Sequence, residues 1–243
     1  MSYSRNDPVL KPTPILDLRP TQITVGYREV EIKRKAFAAM READKNKEIA
    51  KHMVPVVLGP KGGLYVTDHH HMLRALHEDG ETDVLVTIIG DLQKADPNHF
   101  WNLMDYHGWT HPFDDKGKRC DFADLPKTVK HMLDDPYRSL AGELRGAGGF
   151  AKDATPYSEF VWADFFRERI KRKTLKEDFE AALADALGIA KSKDADYLPG
   201  WCGPHQNGAK PAAAKPAAAK SAAAKPAAAK SSNKSAAVKK GKK

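Results

Sequence analysis

The stretch from residue 53 to residue 80 constrains the fold more than any other part of the chain. An apolar, β-branched run over residues 53–58 and a shorter one over 64–66 flank a glycine- and proline-rich turn. Residues 67–71 read Thr-Asp-His-His-His, and apolar residues with helical spacing follow as far as Gly80. The pattern predicts two strands and then a helix, with three histidines where strand passes into helix.

The start of this helix is a candidate site for an anion. Thr67 or Asp68 can serve as the N-cap, because a side-chain oxygen there accepts from the first free backbone N–H groups. The same N–H groups and the helix dipole favour phosphate. Asp68 together with His69 and His70 is alternatively suited to a metal ion, since imidazole and carboxylate are common ligands. A structural role, with one histidine packed and the others solvated, stays open.

Patterning around this stretch predicts a small α/β domain over residues 15–94. Residues 15–23 read as extended chain, residues 31–52 as a helix, and residues 84–89 as an unbroken β-branched run. Such a run is typical of a strand covered on both faces. The order is strand, helix, strand, strand, helix, strand. Residues 1–14, polar and with three prolines, are expected to form a loose arm.

Residues 95–207 change character, and helix formers with apolar spacing predict a mainly helical unit packed on the first. The predicted helices cover residues 96–107, 125–133, 139–145, 158–173 and 176–190. The fold class expected is therefore α+β: a mixed α/β domain, a helical unit and a low-complexity tail.

Two arginines flank a glycine-rich loop at residues 146–149 and are candidates for holding phosphate. These are Arg138 and Arg145, with Lys152 on the other side of the loop. The alternative is ordinary ion pairing, for instance to Glu143.

The net charge of +8 belongs to the tail. Residues 208–243 hold ten lysines and no acid, whereas the rest of the chain carries 30 basic and 32 acidic residues. Prolines break the alanine background, so a disordered, extended tail is expected. Its lysines predict sequence-independent DNA binding, with a solubilising role as the alternative. The lysines singled out are Lys210, Lys215, Lys220, Lys225, Lys230, Lys239 and Lys240.

Composition also limits the compartment and the chemistry. No run approaches the roughly 20 apolar residues of a membrane span, so no membrane partner is expected. Cys120 and Cys202 lie far apart in sequence, as in a protein with free thiols in a reducing cytoplasm. The lysine-rich tail adds possible nucleoid association, and the oligomeric state is left open. No Gly-x-Ser-x-Gly or His-Glu-x-x-His motif occurs, which argues against serine hydrolase and zincin chemistry.

Several segments resemble one protein family. Residues 16–23, residues 53–57 and the strand-to-helix stretch at 67–76 are similar to the N-terminal domain of the ParB/sulfiredoxin superfamily. The Asp-His-His-His signature resembles the ParB-like nuclease branch, as do residues 135–142 and 159–164. The resemblance covers residues 14–172.

In that superfamily the strand-to-helix turn receives nucleotide phosphates. ParB proteins, which bind CTP, carry Gly-Glu-Arg-Arg there, and free serine kinases carry Asp-Gly-His-His-Arg. Aligned on the kinase pattern, His69 and His70 match the His-His pair, whereas Asp68 replaces the glycine and His71 replaces the arginine. These two replacements weaken the inference of a nucleotide and favour a divalent metal. No cysteine stands at the sulfiredoxin nucleophile position, so sulfinic acid reduction is not expected.

The resemblance and the residues together predict a phosphate-binding turn at residues 68–71, with a possible metal-assisted phosphoesterase or nuclease activity. Asp68 is the expected metal ligand, and His69 and His70 are expected as ligands or acid–base groups. Thr67, His71 and Arg74 are expected to contact phosphate. Mg²⁺ or Mn²⁺, rather than Zn²⁺, and a nucleotide, CTP or ATP, are the cofactors considered. The alternatives are a non-catalytic nucleoid-associated or chromosome-partitioning protein and, second, a nucleotide-dependent small-molecule kinase.

Overall fold

The computed structural model describes residues 7–204, with side chains described from residue 11 onward. The strands are β1 (Asp7–Pro14), β2 (Leu18–Pro20), β3 (Thr24–Val25), β4 (Val54–Leu58), β5 (Leu64–Val66), β6 (Asp83–Asp91) and β7 (Leu133–Asp134). The helices are α1 (Tyr27–Ala38), α2 (Glu42–Lys51), α3 (His70–Glu78), α4 (Pro97–Tyr106), α5 (Pro136–Gly146), α6 (Ser158–Arg167), α7 (Arg172–Glu177) and α8 (Phe179–Ala190).

Five strands form a mixed sheet in the order β1-β6-β4-β5-β2. β6 and β4 run parallel, as do β5 and β2, whereas β1 with β6 and β4 with β5 are antiparallel. β3 and β7 form a separate parallel pair. In the β2–β5 register Pro20 lies opposite Val66. Thr21, which follows β2, is therefore next to the turn that follows β5.

Helices cover both faces of this sheet. Val54, Val56 and Val86 belong to a core shared with α1 and α3, whereas Val57 packs with Phe100 and Met104 of α4 on the opposite face. Successive strand residues point to opposite faces, so Val56 and Val57 can enter two different cores. The predicted strand at 84–89 is confirmed within β6.

The second half of the chain builds a helical core of its own. Trp162 is fully buried and stacks on Phe150, and α5, α6, α7 and α8 surround it. The helical layer packs on α1 through α5, where a Cβ at Gly26 would lie only 2.7 Å from Ser139 Oγ. Glycine is therefore required for this close approach. The predicted α+β fold is confirmed, the described residues fall within one compact unit, and the proposed domain boundary at residue 94 stays a prediction.

Two expectations for the first half were wrong. Residues 7–14 are not part of a loose arm, because they pair with β6 as β1 and close one edge of the sheet. The single helix expected over residues 31–52 is two helices, α1 and α2, broken by the extended backbone of Arg41. From α1 the core takes Val30 and Phe37, whereas Ile32 is 55 % exposed.

The helix expected over residues 125–133 is also absent. Leu133 N donates to Ile23 O at 3.0 Å, and Asp135 N donates to Val25 O at 2.9 Å. The end of this segment is therefore a strand that pairs with β3. Only a single 3₁₀ turn, Val129–His131, precedes it. Val129 and Met132 enter the core that includes α3.

The lysine-rich tail and its predicted disorder lie outside the described residues. None of the helices found between residues 7 and 204 has the length and apolarity needed to cross a membrane.

Candidate functional site

The site is built on the turn between β5 and α3. His69 is the N-cap of α3 and has a left-handed backbone, with φ of 67°. Asp68 Oδ1 accepts its N–H at 2.6 Å, and the carbonyl of His69 accepts from Leu73 N at 2.9 Å. The N–H groups of His70, His71 and Met72 have no acceptor among the described residues. This helix start therefore presents free donors and the positive end of its dipole.

His70 and His71 turn back into the protein and pin the segment between β2 and α1. Nε2 of His70 accepts the N–H of Thr21 at 3.2 Å, and Nε2 of His71 accepts the N–H of Gly26 at 3.0 Å. A neutral imidazole that accepts at Nε2 carries its proton on Nδ1. His70 therefore offers the surrounding cavity an N–H and not a lone pair.

Both rings are neutral at pH 7. Burial lowers the pKa of His70 to about 4, with the charge of Asp68 opposing the change. Burial and the charge of Arg138 lower the pKa of His71 to about 3, opposed by Glu29. Burial also lowers the pKa of His69, the ring nearest to solvent.

A buried ion pair lies beside His71. Arg138 Nη1 is 3.2 Å from Glu29 Oε2, and the same oxygen is 3.6 Å from His71 Nε2. Burial alone would raise the pKa of Glu29. The positive charges of His71 (when protonated), Arg138 and Lys33 have the larger combined effect and lower this pKa to about 2. Glu29 is therefore anionic at neutral pH. A second nitrogen of this guanidinium, Nε, has no hydrogen-bond partner among the described residues.

These groups enclose a cavity of about 700 Å³ between α1, α2 and α3 on one side and α6 with the loop before it on the other. Within the described part of the chain, five buried side-chain polar atoms have no hydrogen-bond partner, and all five belong to residues that line this cavity. They are Gln22 Oε1, His69 Nδ1, His70 Nδ1, Arg138 Nε and the Tyr157 hydroxyl. Buried polar groups are nearly always paired, so their concentration here indicates a place for a polar ligand.

Most of the predicted site residues meet at this cavity, including the two arginines from the glycine-loop region. Both arginines are ion-paired, as in the structural alternative, but with partners other than Glu143: Arg145 pairs with Glu159 and Arg138 pairs with Glu29. The predicted residues on the wall are Thr67, Asp68, His69, His70, His71, Arg138 and Arg145.

Arg74 is the exception. Its Nη1 donates to the carbonyls of Val129, Lys130 and Met132 at 2.9–3.1 Å, and its Nε lies 2.5 Å from Glu78. Arg74 does not line the cavity, because it faces the segment before β7. It fastens that segment to α3 and is not placed to contact a phosphate at the turn.

The residues present do not fit the expected metal site. Among residues 7–204 no group of three or more His, Cys, Asp or Glu side chains is arranged to hold a metal ion. His70 uses Nε2 for the Thr21 N–H, and the carboxylate of Asp68 accepts from His69 N. Ligation of a metal by His70 would require its bond to the Thr21 N–H to break, because the free nitrogen, Nδ1, carries the proton in the neutral ring.

Comparison with known proteins places the chain in a family. Residues 12–168 match the family described as "Putative ParB-like nuclease". The chain belongs to this family. It is also 46 % identical, with a TM-score of 0.76, to the crystal structure of protein Atu1540 from Agrobacterium tumefaciens. That similarity covers 81 % of this chain and 99 % of the other. A comparison with the curated proteins finds no match.

Membership of the ParB-like nuclease family confirms the resemblance read from the turn and the helical segments. Sequence reasoning missed many of the cavity residues, and Gln22, Glu29 and Tyr157 are the ones with an unpartnered atom or a buried charge. Glu29 lies among charged residues typical of an exposed helix face, and Gln22 comes just after a three-residue strand. Neither residue has sequence neighbours that indicate a place in a binding site. Tyr157 precedes a strong helix and has φ of 60°. Nothing in its sequence neighbourhood predicts this left-handed backbone.

Proposed function

We propose that the cavity binds a small phosphorylated ligand of nucleotide size, with its phosphate at the free N–H groups of α3. The observation that carries this proposal is that the five unpartnered buried polar atoms all belong to residues that line the cavity. His70 Nδ1–H supplies a donor in addition to the helix N-terminus, and Arg138 Nε supplies a further donor elsewhere on the cavity lining. An anion that accepts from these groups would complete their hydrogen bonding.

The shape of the cavity favours a mononucleotide over a nucleic-acid duplex. Ligand pockets for small molecules typically enclose about 300–1,000 Å³, and this cavity falls in that range. One wall, formed by Phe37, Met40, Ile49 and Leu76, is apolar and suits a base or another flat apolar group. A duplex does not fit inside such a volume, so a polynucleotide substrate would enter by a chain end or an extruded nucleotide.

Phosphoester hydrolysis is the reaction we propose at this site, with His69 as the proton acceptor. Water attacks phosphorus, the bond to the leaving oxygen breaks, and His69 takes the proton of the water. His69 combines a left-handed backbone, an unpartnered Nδ1 and a lowered pKa. Backbone strain of this kind concentrates at functional sites, and a neutral imidazole is able to act as a base.

A panel of thermal unfolding curves on the full-length protein tests the binding proposal. The probes are CTP, ATP, ADP, CMP and inorganic phosphate, each with and without Mg²⁺. A ligand that binds only the folded state raises its melting temperature in proportion to the logarithm of its concentration. We expect at least one nucleotide to do so. A melting temperature that responds to none of them would contradict the proposal, and ATP-dependent phosphorylation of a small alcohol would favour the kinase alternative.

Replacing Arg138 with lysine is expected to weaken nucleotide binding by about 10–100-fold. Arg138→Lys keeps the charge beside Glu29 but removes the Nε–H, and a hydrogen bond to a charged group contributes about 1.5–3 kcal/mol. Isothermal titration of the nucleotide that gives the largest thermal shift measures the change.

The matched control for Arg138→Lys is Arg41→Lys. Arg41 is exposed before α2 and pairs only with Asp44 among the described residues. Its replacement should leave the dissociation constant unchanged. Equal affinities of Arg138→Lys and the wild type would remove Arg138 from the site.

We further propose that the lysine-rich tail holds the protein on DNA without reading sequence. Deletion of residues 208–243 is expected to abolish salt-dependent binding to duplex DNA while leaving nucleotide binding in the cavity intact. If all ten lysines engage phosphates, the slope of log K against log salt approaches roughly −9. Fluorescence anisotropy at several salt concentrations measures it. DNA affinity and salt slope that survive the deletion would show that the body binds DNA.

A further inference from the structure

Two helices, and not one, begin at the cavity. α3 follows His69 and α6 follows Tyr157, and both of these N-cap residues have positive φ, 67° and 60°. Neither N-cap side chain bonds to its own helix. In α6, as in α3, the first N–H groups, those of Ser158 and Glu159, have no acceptor among the described residues. A ten-residue helix with a free N-terminus attracts anions for the same reason as α3.

Buried donors without partners lie at the α6 end as well. Arg138 is only 8 % exposed, its guanidinium carbon lies 5.3 Å from the centre of the Phe160 ring, and Phe160 is in the first turn of α6. The unpartnered Nε of Arg138 is therefore beside this helix start. The Tyr157 hydroxyl is a second unpartnered donor on the same wall.

Both helix starts line the same cavity, with Asp68 and His69 at the start of α3 and Tyr157 and Ser158 at the start of α6. Tyr157 also stacks on His111, with ring centres 4.8 Å apart, so its ring is held at the junction of α6 and the loop after α4.

The charged side chains of the wall are largely neutralised by one another. Glu29 pairs with Arg138 and Lys33, Glu159 pairs with Arg145, and Glu48 pairs with His52 when that histidine is protonated. The preference of the cavity for an anion therefore depends on the N–H and O–H donors at the two helix starts. A ligand with a single phosphate would satisfy only one of them.

Building on the proposed function, we infer that the ligand carries two phosphoryl groups, one at the start of α3 and one at the start of α6. The second subsite consists of the first N–H groups of α6, the Tyr157 hydroxyl and Arg138 Nε, with Arg145 at its edge. The ligand class is a diphosphate or a bisphosphate, and a monophosphate is bound with lower affinity.

Calorimetric titration of the full-length protein tests this inference. The probes are inorganic phosphate and pyrophosphate, then AMP, ADP and adenosine 3′,5′-bisphosphate. We expect at least one probe with two phosphoryl groups to bind 10-fold or more tightly than its counterpart with one. Preference for ADP indicates adjacent phosphates, and preference for the bisphosphate indicates phosphates separated by the sugar.

Tyr157→Phe removes the hydroxyl and keeps the ring that stacks on His111. We expect it to reduce the preference for two phosphoryl groups by 5-fold or more and to leave the affinity for inorganic phosphate unchanged. The control is Tyr106→Phe, since Tyr106 is 84 % exposed on α4 and should change neither quantity.

Three outcomes overturn the inference. Probes with two phosphoryl groups that bind no better than those with one show that α6 holds no phosphate. Equal losses of phosphate and pyrophosphate affinity in Tyr157→Phe show that Tyr157 serves the α3 subsite. Absence of binding by every probe overturns the proposed function as well, which separates the failure of the two claims.

Discussion

Lowering the pH from 6.5 to 4.5 is expected to reduce the free energy of unfolding steeply, because two buried histidines and a third, partly buried one, stay neutral in the folded chain. Burial lowers the pKa of His70 to about 4 and the pKa values of His71 and His111 to about 3. In the unfolded chain each pKa returns to about 6.5. Below that pH the unfolded state binds protons that the folded state does not, so stability present at pH 7 is lost as the pH falls.

The expected slope is large compared with the total stability of a domain. Each such histidine contributes up to about 1.4 kcal/mol per pH unit, and the three together about 4 kcal/mol per pH unit below pH 6. A total stability of about 5–8 kcal/mol, in the lower half of the usual range, then implies unfolding above pH 4. The ionised form of Glu29 stabilises the fold over a different pH range. Because its pKa is about 2 in the folded chain, this stabilisation is complete above pH 4.5 and is lost as the pH falls from 4.5 toward 2.

Urea denaturation at half-unit intervals between pH 7.5 and 4.5 measures this slope. His71→Gln keeps an acceptor for the Gly26 N–H but does not titrate, so it should lower proton uptake on unfolding by about one. His99→Gln, at an exposed position on α4, is the control and should leave the uptake unchanged. Asp134 and Asp164, whose pKa values burial raises, offset a small part of the slope near pH 4.5. A flat profile between pH 6.5 and 4.5 would contradict buried, neutral histidines.

Replacing His69 with asparagine is expected to lower phosphoester hydrolysis by about 10²–10⁴-fold, the usual contribution of a general base. Asparagine tolerates the left-handed backbone of this position and places a polar atom near the site of Nδ1. The fold and the binding of ligand should therefore survive. Release of p-nitrophenol from bis(p-nitrophenyl) phosphate, and of phosphate from the nucleotide that binds, measures the rate.

Two controls accompany His69→Asn. His99→Asn changes an exposed histidine outside the cavity and should retain the wild-type rate. In the wild type, kcat/KM should fall at acid pH with a midpoint below 6.5, because burial lowers the pKa of His69 and protonation removes the base. A His69→Asn variant that hydrolyses at the wild-type rate would transfer the base role to another group.

His70 is a poor choice for such a test, although the sequence offers it equally. Its Nε2 holds the Thr21 N–H in a region with no solvent, so His70→Ala would leave that donor unpaired and open a void. Loss of activity in that variant would report misfolding as readily as chemistry. His69 accepts no hydrogen bond from a buried backbone N–H among the described residues, and its ring interacts with the backbone of His52 instead, so its replacement avoids this ambiguity.

The features predicted from the sequence are those set by neighbouring residues. The turn at residues 67–71 and the strand at residues 84–89 follow from local periodicity. The predicted cap of α3 was wrong, because the N-cap is His69 and not Thr67 or Asp68, and no described side chain caps the helix. Arg138 and Arg145 were identified as phosphate candidates from their position around a glycine-rich loop, and both do line the cavity.

The features that were missed depend on contacts between distant residues. The inward turn of His70 is set by Thr21, 49 positions earlier, and the burial of Arg138 is set by Glu29, 109 positions earlier. Helix propensity over residues 125–133 was overridden by pairing of β7 with β3. Arg74 has the right charge for a phosphate contact, but three carbonyls of a segment more than 50 residues away take its guanidinium.

The central claim is that the free N–H groups at the start of α3 receive a phosphate, and amide chemical shifts of the full-length protein test it most directly. Titration with inorganic phosphate, followed by the nucleotide of highest affinity, should shift the amide signals of His70, His71 and Met72 downfield and saturably. Signals of the exposed helix α2 serve as the internal reference and should not move. Saturable shifts confined to other parts of the protein, with the α3 amides unchanged, would contradict the claim.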